Sequence, residues 1–317
     1  MIAVVGAAAV DVVARRQRFL AGTSNPSEIR WTPGGVGYRI WRRLPAPRLL
    51  LSAVGDDPAG LWLRERIAAE AKDRAENGNR RGARGRRASE SDVRLLSLPR
   101  FATACYCAFM QSGRLLYGAA DMAVVESGLN LARLRAHLPL LGPADLLVLE
   151  ANLAPTLTGA LLRRFAGRTR VVFEGVSVDK LLRHEPGLRD LYLLSVNQEE
   201  AEALRRRVAP RGRGQLWVPR FLRDRRIAHL LVPRGWRGVR LHTLEAEGRI
   251  RSASFAPKRV VRAQDSTGAG DRLLAAVLAR LVRAESAGSR PGGAPLVERV
   301  LPAAMREVER ALEEGSL

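Results

Sequence analysis

The hydrophobic positions of this chain fall into short runs of aliphatic and β-branched residues separated by longer stretches of mixed polarity. Residues 2–6 read as a buried strand ending in glycine, and residues 49–54, 146–149, 170–173, 191–196 and 229–232 repeat that short apolar signature. Between them, residues 59–74, 155–166, 179–185 and 198–207 carry helical patterning. This alternation predicts a layered α/β fold with a mainly parallel central sheet, whose ligands gather beyond the carboxyl ends of the strands.

Two kinds of segment break the rhythm. Residues 10–14 and 28–32 predict strands around a loop at 22–27, and polar-apolar alternation over 102–117, turned at Ser112-Gly113, predicts a hairpin. Together they describe a small β lid drawn from about 10–32 and 102–119, on a chain that otherwise reads as a single domain over 1–317. Residues 75–92 hold Arg, Gly, Asn, Glu and Ser with almost no apolar anchors, and read as an exposed, mobile basic insertion. A second arginine cluster at 205–226 reads as a solvated helix face and loop. The Gly, Ser and Pro of 285–295 divide a helix opening at Asp271 from a final amphipathic helix near 297–314.

Charge adds a question. The chain carries 53 basic and 32 acidic residues, a formal charge of +21. That excess leaves nucleic-acid binding open, but no zinc-finger spacing, RNA-binding aromatic motif or basic helix with a dimerisation heptad accompanies it, so a solvated basic surface is the leading reading. The apolar runs stop short of the roughly 20 residues a membrane span needs, and the sequence enters a strand at once without a basic leader, so a cytoplasmic protein with no membrane partner is expected. Cys105 and Cys107 read as reduced residues of one strand, and His137, His184, His229 and His242 as structural or surface residues. An exposed lid edge leaves a homodimer open, although an edge can also be protected within one chain.

The densest chemistry lies at residues 264–278. Asp265, a small-residue turn over 266–270 and Asp271 stand directly before an apolar helical segment. Such a turn can aim backbone N–H groups at an anion, because the first N–H groups of a helix have no intrahelical acceptor. A carboxylate at the same mouth can take a proton from a hydroxyl, which makes Asp271 the first candidate base. Neither a Walker loop nor a dinucleotide glycine fingerprint is present.

The run Asp265-Ser266-Thr267-Gly268-Ala269-Gly270-Asp271 resembles the second signature of the ribokinase-like (PfkB) carbohydrate and nucleoside kinases. The likeness continues through Gly6 and Asp11, Gly34-Gly35-Val36-Gly37, Val54-Gly55-Asp56-Asp57-Pro58-Ala59-Gly60, Asn197-Gln198-Glu199-Glu200 and Gly235-Trp236-Arg237-Gly238, covering most of residues 1–280. Thr23-Ser24-Asn25-Pro26 and Ala119-Ala120-Asp121-Met122 are most similar to the pseudouridine kinases of that family. The resemblance implies a three-layer α/β/α core with a β lid, and Mg2+-dependent transfer of the γ-phosphoryl group of ATP to the 5′-hydroxyl of a small-molecule nucleoside, pseudouridine. It implies Asp271 as base and the backbone of Gly268, Ala269 and Gly270 as anion hole. Asp11, Asn25, Gly34, Gly35, Arg39 and Asp121 would face the substrate. Asn197, Glu200, Arg234, Gly235 and Gly238 would face ATP, with Glu200 reaching Mg2+ largely through water. Asp265 and Thr267 resemble part of a monovalent-cation site, which makes K+ a further candidate ion.

Three positions depart from the family. Arg39 stands where a sugar-contacting asparagine is usual, and a guanidinium offers only donors and carries charge. Ala9 replaces an asparagine two residues before Asp11, and Pro233 replaces a hydroxyl residue, removing a side-chain oxygen and a backbone N–H. These changes leave open a kinase for another nucleoside or sugar, and a catalytically weak binding or regulatory protein of the same fold.

Overall fold

The computed structural model describes residues 1–80, 91–209, 217–259, 261, 268–287 and 295–314. In chain order its strands are β1 (Ile2–Val5), β2 (Ala9–Arg16), β3 (Glu28–Gly34), β4 (Arg48–Val54), β5 (Ser91–Ser97), β6 (Cys105–Gln111), β7 (Arg114–Asp121), β8 (Leu146–Glu150), β9 (Arg170–Glu174), β10 (Leu193–Ser195), β11 (His229–Pro233), β12 (Val239–Leu244) and β13 (Ile250–Phe255). Its α-helices are α1 (Val36–Trp41), α2 (Pro58–Arg80), α3 (Leu131–Leu134), α4 (Leu138–Leu141), α5 (Pro155–Phe165), α6 (Val178–His184), α7 (Gln198–Val208), α8 (Trp217–Arg225), α9 (Ala269–Ser286) and α10 (Leu296–Glu313).

Nine strands form the central sheet in the order β13-β12-β11-β10-β9-β8-β1-β4-β5. It is parallel from β11 to β5, and β12 and β13 add an antiparallel edge. Every residue of β1, β4 and β8 is buried, the continuous apolar reading of strands covered on both faces. One core layer joins the sheet to α5, α6, α7 and α8, and the other joins it to α1, α2, α9 and α10. A second sheet, β3-β2-β6-β7, pairs β2 with β6 in parallel and its other strands antiparallel. β7 is exposed at every position, so neither face of this edge strand is covered.

The predicted strands and their order recur here, including both lid segments and the turn at Ser112-Gly113, and three differences stand beside them. α2 runs to Arg80 rather than ending near 74, so 75–80 is helix and not insertion. Ala75, Glu76 and Arg80 favour helix, whereas Asn77, Gly78 and Asn79 do not, so propensity alone does not explain the last turn. The insertion is bounded on its other side by β5, which pairs with β4 at the sheet edge, and 81–90 lies outside the described residues. Residues 239–255, for which no element was predicted, form a hairpin, β12 and β13. Residues 210–216 of the second arginine cluster lie outside the described residues, while 205–208 and 217–225 are helical.

The glycine turn before α1 is a docking device. Gly35 caps α1 with φ of 87°, and a Cβ there would lie 2.5 Å from the carbonyl oxygen of Ala7. A Cβ on Gly37 would lie 2.8 Å from the backbone carbon of Gly6, and Tyr38 donates its N–H to Ala7 at 3.0 Å. Tyr38, Ile40 and Trp41 are then buried, so α1 is wedged against the end of β1. That strand lies between β4 and β8, where the chain order of the sheet reverses, the point at which α/β sheets open a crevice. Gly37→Ala is expected to lower unfolding stability by about 1–3 kcal/mol through overpacking. Gly187→Ala, where a Cβ would meet nothing within 4 Å, should leave the denaturation midpoint nearly unchanged; equal midpoints for both variants would contradict this account.

Candidate functional site

Three charged side chains meet where α1, β2 and α9 converge. Arg39 Nη2 donates to Asp11 Oδ2, and Arg39 Nη1 lies 3.8 Å from Asp271 Oδ2. The side chains of Asp11 and Asp271 are only 6% and 11% exposed, so neither carboxylate is solvated enough to stand alone. Burial raises Asp271 to about 6 against the pull of Arg39 and Arg43, and raises Asp11 against its bridge to Arg39. Burial and the neighbouring Arg42 and Arg272 hold Arg43 down at about 10.

Backbone geometry complements this charge. Gly268 adopts φ of 83° as the cap of α9, and Asp271 sits in the helix's first turn. A Cβ on Gly268 would meet Arg39 at ordinary contact distance, so conformation rather than space requires glycine there. A Cβ on Gly270 would meet nothing within 4 Å among the described residues. Gly34 packs so closely on Asp11 that a side chain would strike the carboxylate.

A row of carboxylates closes the strand ends. Glu150 ends β8, is fully buried, and accepts from the N–H of Ala7 at 2.6 Å, the N–H of Asn152 at 2.8 Å and Asn152 Nδ2 at 2.6 Å. Burial lifts it to about 7 despite those bonds and the charge of Lys180. Lys180 donates to Asn152 and lies 2.8 Å from Glu126. Glu174 ends β9; burial, then the charge of Asp271, holds it well above the usual carboxylate range. Its Oε2 has no hydrogen-bond partner among the described residues. Asn197 and Glu200 form a reciprocal capping box at the start of α7, with bonds of 2.6 to 3.0 Å. Burial also raises Glu200 to about 7, and Asp271 contributes to that shift.

The fold therefore brings Asp11, Gly34, Gly35, Arg39, Gly268, Ala269, Gly270 and Asp271 together and couples Glu200 electrostatically to Asp271, while Asn197 is bonded to Glu200. Other candidates have local partners. Asn25 spends its amide on its own loop, accepting from Leu20 and Arg16 and donating to the carbonyls of Leu20 and Thr23. Asp121 ends β7 and accepts from the N–H of Ala123 at 3.0 Å. It pairs in register with Cys105, whose thiol rises to about 11 through burial, Cys107, Asp11 and Asp121. Arg234 lines a groove of about 1430 Å³ with Trp236, Arg237 and, from α7 and α8, Glu199 and Trp217. Gly235 and Gly238 carry the positive φ of that turn, and Gly238 abuts the carbonyl of Phe255. Asp265 and Thr267 lie outside the described residues. Glu150, Glu174 and Lys180 were not among the sequence candidates; an acidic residue ending an apolar strand, as in Val172-Phe173-Glu174, was the available signal.

The residues present fit a magnesium-bound nucleotide. Glu174 offers an enclosed oxygen without a partner, Glu200 lies in the same electrostatic cluster, and the mouth of α9 presents backbone donors. No group of three metal-ligating side chains occurs among the described residues. No described helix is long and apolar enough to cross a membrane.

Comparison with known proteins extends the picture. No family model matches the chain. It is 26% identical over 283 residues to pseudouridine kinase of Escherichia coli (strain K12), covering 86% of this chain and 81% of that protein. Its fold is similar to a carbohydrate kinase from Agrobacterium tumefaciens, with a TM-score of 0.70 at 23% identity over 98% of this chain and 90% of the other. It is likewise similar to Arabidopsis thaliana ribokinase complexed with ribose and ATP, with a TM-score of 0.71 at 17% identity over 98% and 92%. The mainly parallel sheet, the separate small sheet and these likenesses agree on a ribokinase-like fold.

Proposed function

We propose that this protein transfers the γ-phosphoryl group of ATP to the 5′-hydroxyl of pseudouridine, giving pseudouridine 5′-phosphate and ADP. The observation that carries the reading is the buried Asp271 in the first turn of α9, directly behind the positive-φ Gly268 and within 3.8 Å of Arg39. A carboxylate raised to about 6 is mostly ionised at neutral pH, yet basic enough to accept a hydroxyl proton as that oxygen attacks phosphorus. The N–H groups at the helix mouth lie where negative charge would build on the equatorial oxygens. Magnesium, when bound with the phosphates, would neutralise part of that charge, and Glu174 and Glu200 are the side chains suited to hold it. The β3-β2-β6-β7 sheet would cover the acceptor and exclude water that competes for the phosphoryl group. The likeness to the Escherichia coli pseudouridine kinase supports the choice of nucleoside.

A second reading, a kinase for another nucleoside or a sugar, is favoured by Arg39, which replaces an asparagine at the expected acceptor contact and is already bridged to Asp11. Phosphorylation of pseudouridine, uridine, adenosine, ribose and fructose phosphates, assayed side by side, separates the two; preference for an acceptor other than pseudouridine would favour the second.

Asp271→Asn is expected to lower kcat roughly 10²- to 10⁴-fold while ATP still binds, as removal of a general base does. A variant that folds and retains wild-type turnover would exclude Asp271 as base. The pH profile offers an independent check. Because Asp271 must be ionised and its value lies at about 6, kcat/KM should fall as pH drops through 6 and level off above it. A limb at the ordinary carboxylate value near 4 would place the essential base elsewhere.

A further inference from the structure

We propose that Arg39 is itself a catalytic residue, a cation delivered from α1 to clamp the transferring phosphoryl group, with Asp11 as the positioning residue that aims it. The proposal rests on the kinase reading above and adds a role to a position that, by resemblance alone, would merely touch the acceptor.

Placement is the first argument. The guanidinium spans the junction rather than lining one wall: Nη2 is bound to Asp11, while Nη1 reaches toward Asp271 at 3.8 Å. The same end of the fork lies against the turn that opens α9, since a Cβ on Gly268 would stand 3.7 Å from Nη1 and 3.8 Å from Cδ of Arg39. A phosphoryl group held at the mouth of α9, close enough for a hydroxyl on Asp271 to attack it, would therefore come within reach of Arg39.

Chemistry supplies the second argument. A guanidinium stays protonated, offers only donors and presents them in a plane that matches phosphate oxygens. The asparagine usual at this position can share both donor and acceptor bonds with a sugar, whereas Arg39 cannot accept from a hydroxyl. Its acceptor partners are already close at hand in Asp11 and Asp271, so an arriving group must bring lone pairs. The surroundings agree: burial, then the charges of Arg42 and Arg272, depress Arg43, a local excess of cations that phosphate oxygens would relieve. In the step itself, the acceptor oxygen forms a bond to the γ-phosphorus as the bond from that phosphorus to the bridging oxygen of ADP breaks. The hydroxyl proton goes to Asp271, ADP leaves with the electron pair, and Arg39 neither gains nor loses a proton.

The alternative is that Arg39 only fills the acceptor subsite, and the two roles give opposite signs. Wild type, Arg39→Asn, Arg39→Lys and Asp11→Asn would be compared by steady-state phosphorylation of pseudouridine, by thermal unfolding, and by affinity for ADP with aluminium fluoride, a planar mimic of the phosphoryl group. For a clamp, Arg39→Asn should cut kcat roughly 10³-fold with KM for ATP little changed, the scale found for arginines that touch a transferring phosphoryl group. It should also weaken binding of the aluminium fluoride complex while leaving ADP alone unaffected, and Arg39→Lys should restore part of both. Asp11→Asn should lower kcat as well as raise KM for the acceptor, because its guanidinium is released. If Arg39→Asn does not fold, Arg39→Lys and Asp11→Asn carry the same split between kcat and KM. An active wild type whose Arg39→Asn variant turns over as fast or faster overturns the clamp alone. A folded wild type that phosphorylates no acceptor in the panel overturns the kinase reading and the clamp with it.

Discussion

A guanidinium shared between two carboxylates, at a junction almost closed to water, is the constraint on which the site depends. Asp11 and Asp271 each lose most of their hydration on folding, and an isolated buried carboxylate would neutralise itself by taking up a proton. Arg39 opposes that tendency at both, yet it is positioned only because α1 docks on the turn after β1. Gly35 and Gly37 permit that docking through backbone contacts that no side chain would tolerate. The charge arrangement and the backbone packing are thus one feature: loosening α1 withdraws the cation from both acids.

The strand ends give the junction its floor. Glu150 binds the turn after β1 to the end of β8, so one buried carboxylate braces the loop that α1 rests on. Glu200 is similarly absorbed by its capping box, whereas Glu174 keeps an enclosed oxygen without a protein partner among the described residues. All three have values raised by burial, and Glu174 alone of them has an oxygen with no hydrogen-bond partner among the described residues. A parallel sheet creates this pattern because it ends every strand on the same side, stacking whatever polar residue follows each apolar run.

The basic charge has a more ordinary place in the structure. Arg170 pairs with Glu285, Arg251 with Glu298 and Arg280 with Glu307, each tying sheet to helix or helix to helix at the periphery. Exposed pairs of this kind contribute little individually, and they account for arginines that composition alone left without a purpose. Around the site the same residue type acts differently, since Arg39 and Arg43 are substantially buried and their charges reach the acids directly.

The sequence by itself determined the class of fold and the glycine at the mouth of α9. Short strands buried on both faces need continuous apolar runs, and a positive-φ turn before a helix needs glycine; both are local demands that leave local marks, as at 146–149 and at Gly268. The end of α2 was set near residue 74 because 75–80 carry no apolar stripe, and the β12-β13 hairpin was not predicted at all. Asn25 looked like a ligand contact from its motif but is occupied within its loop, a fact that depends on how 16–25 closes. Only the tertiary structure decided that Arg39, 28 residues from Asp11 and far along the chain from Asp271, would join the two. Electrostatic coupling depends on distance through space and on exclusion of water, and neither quantity is written in sequence separation.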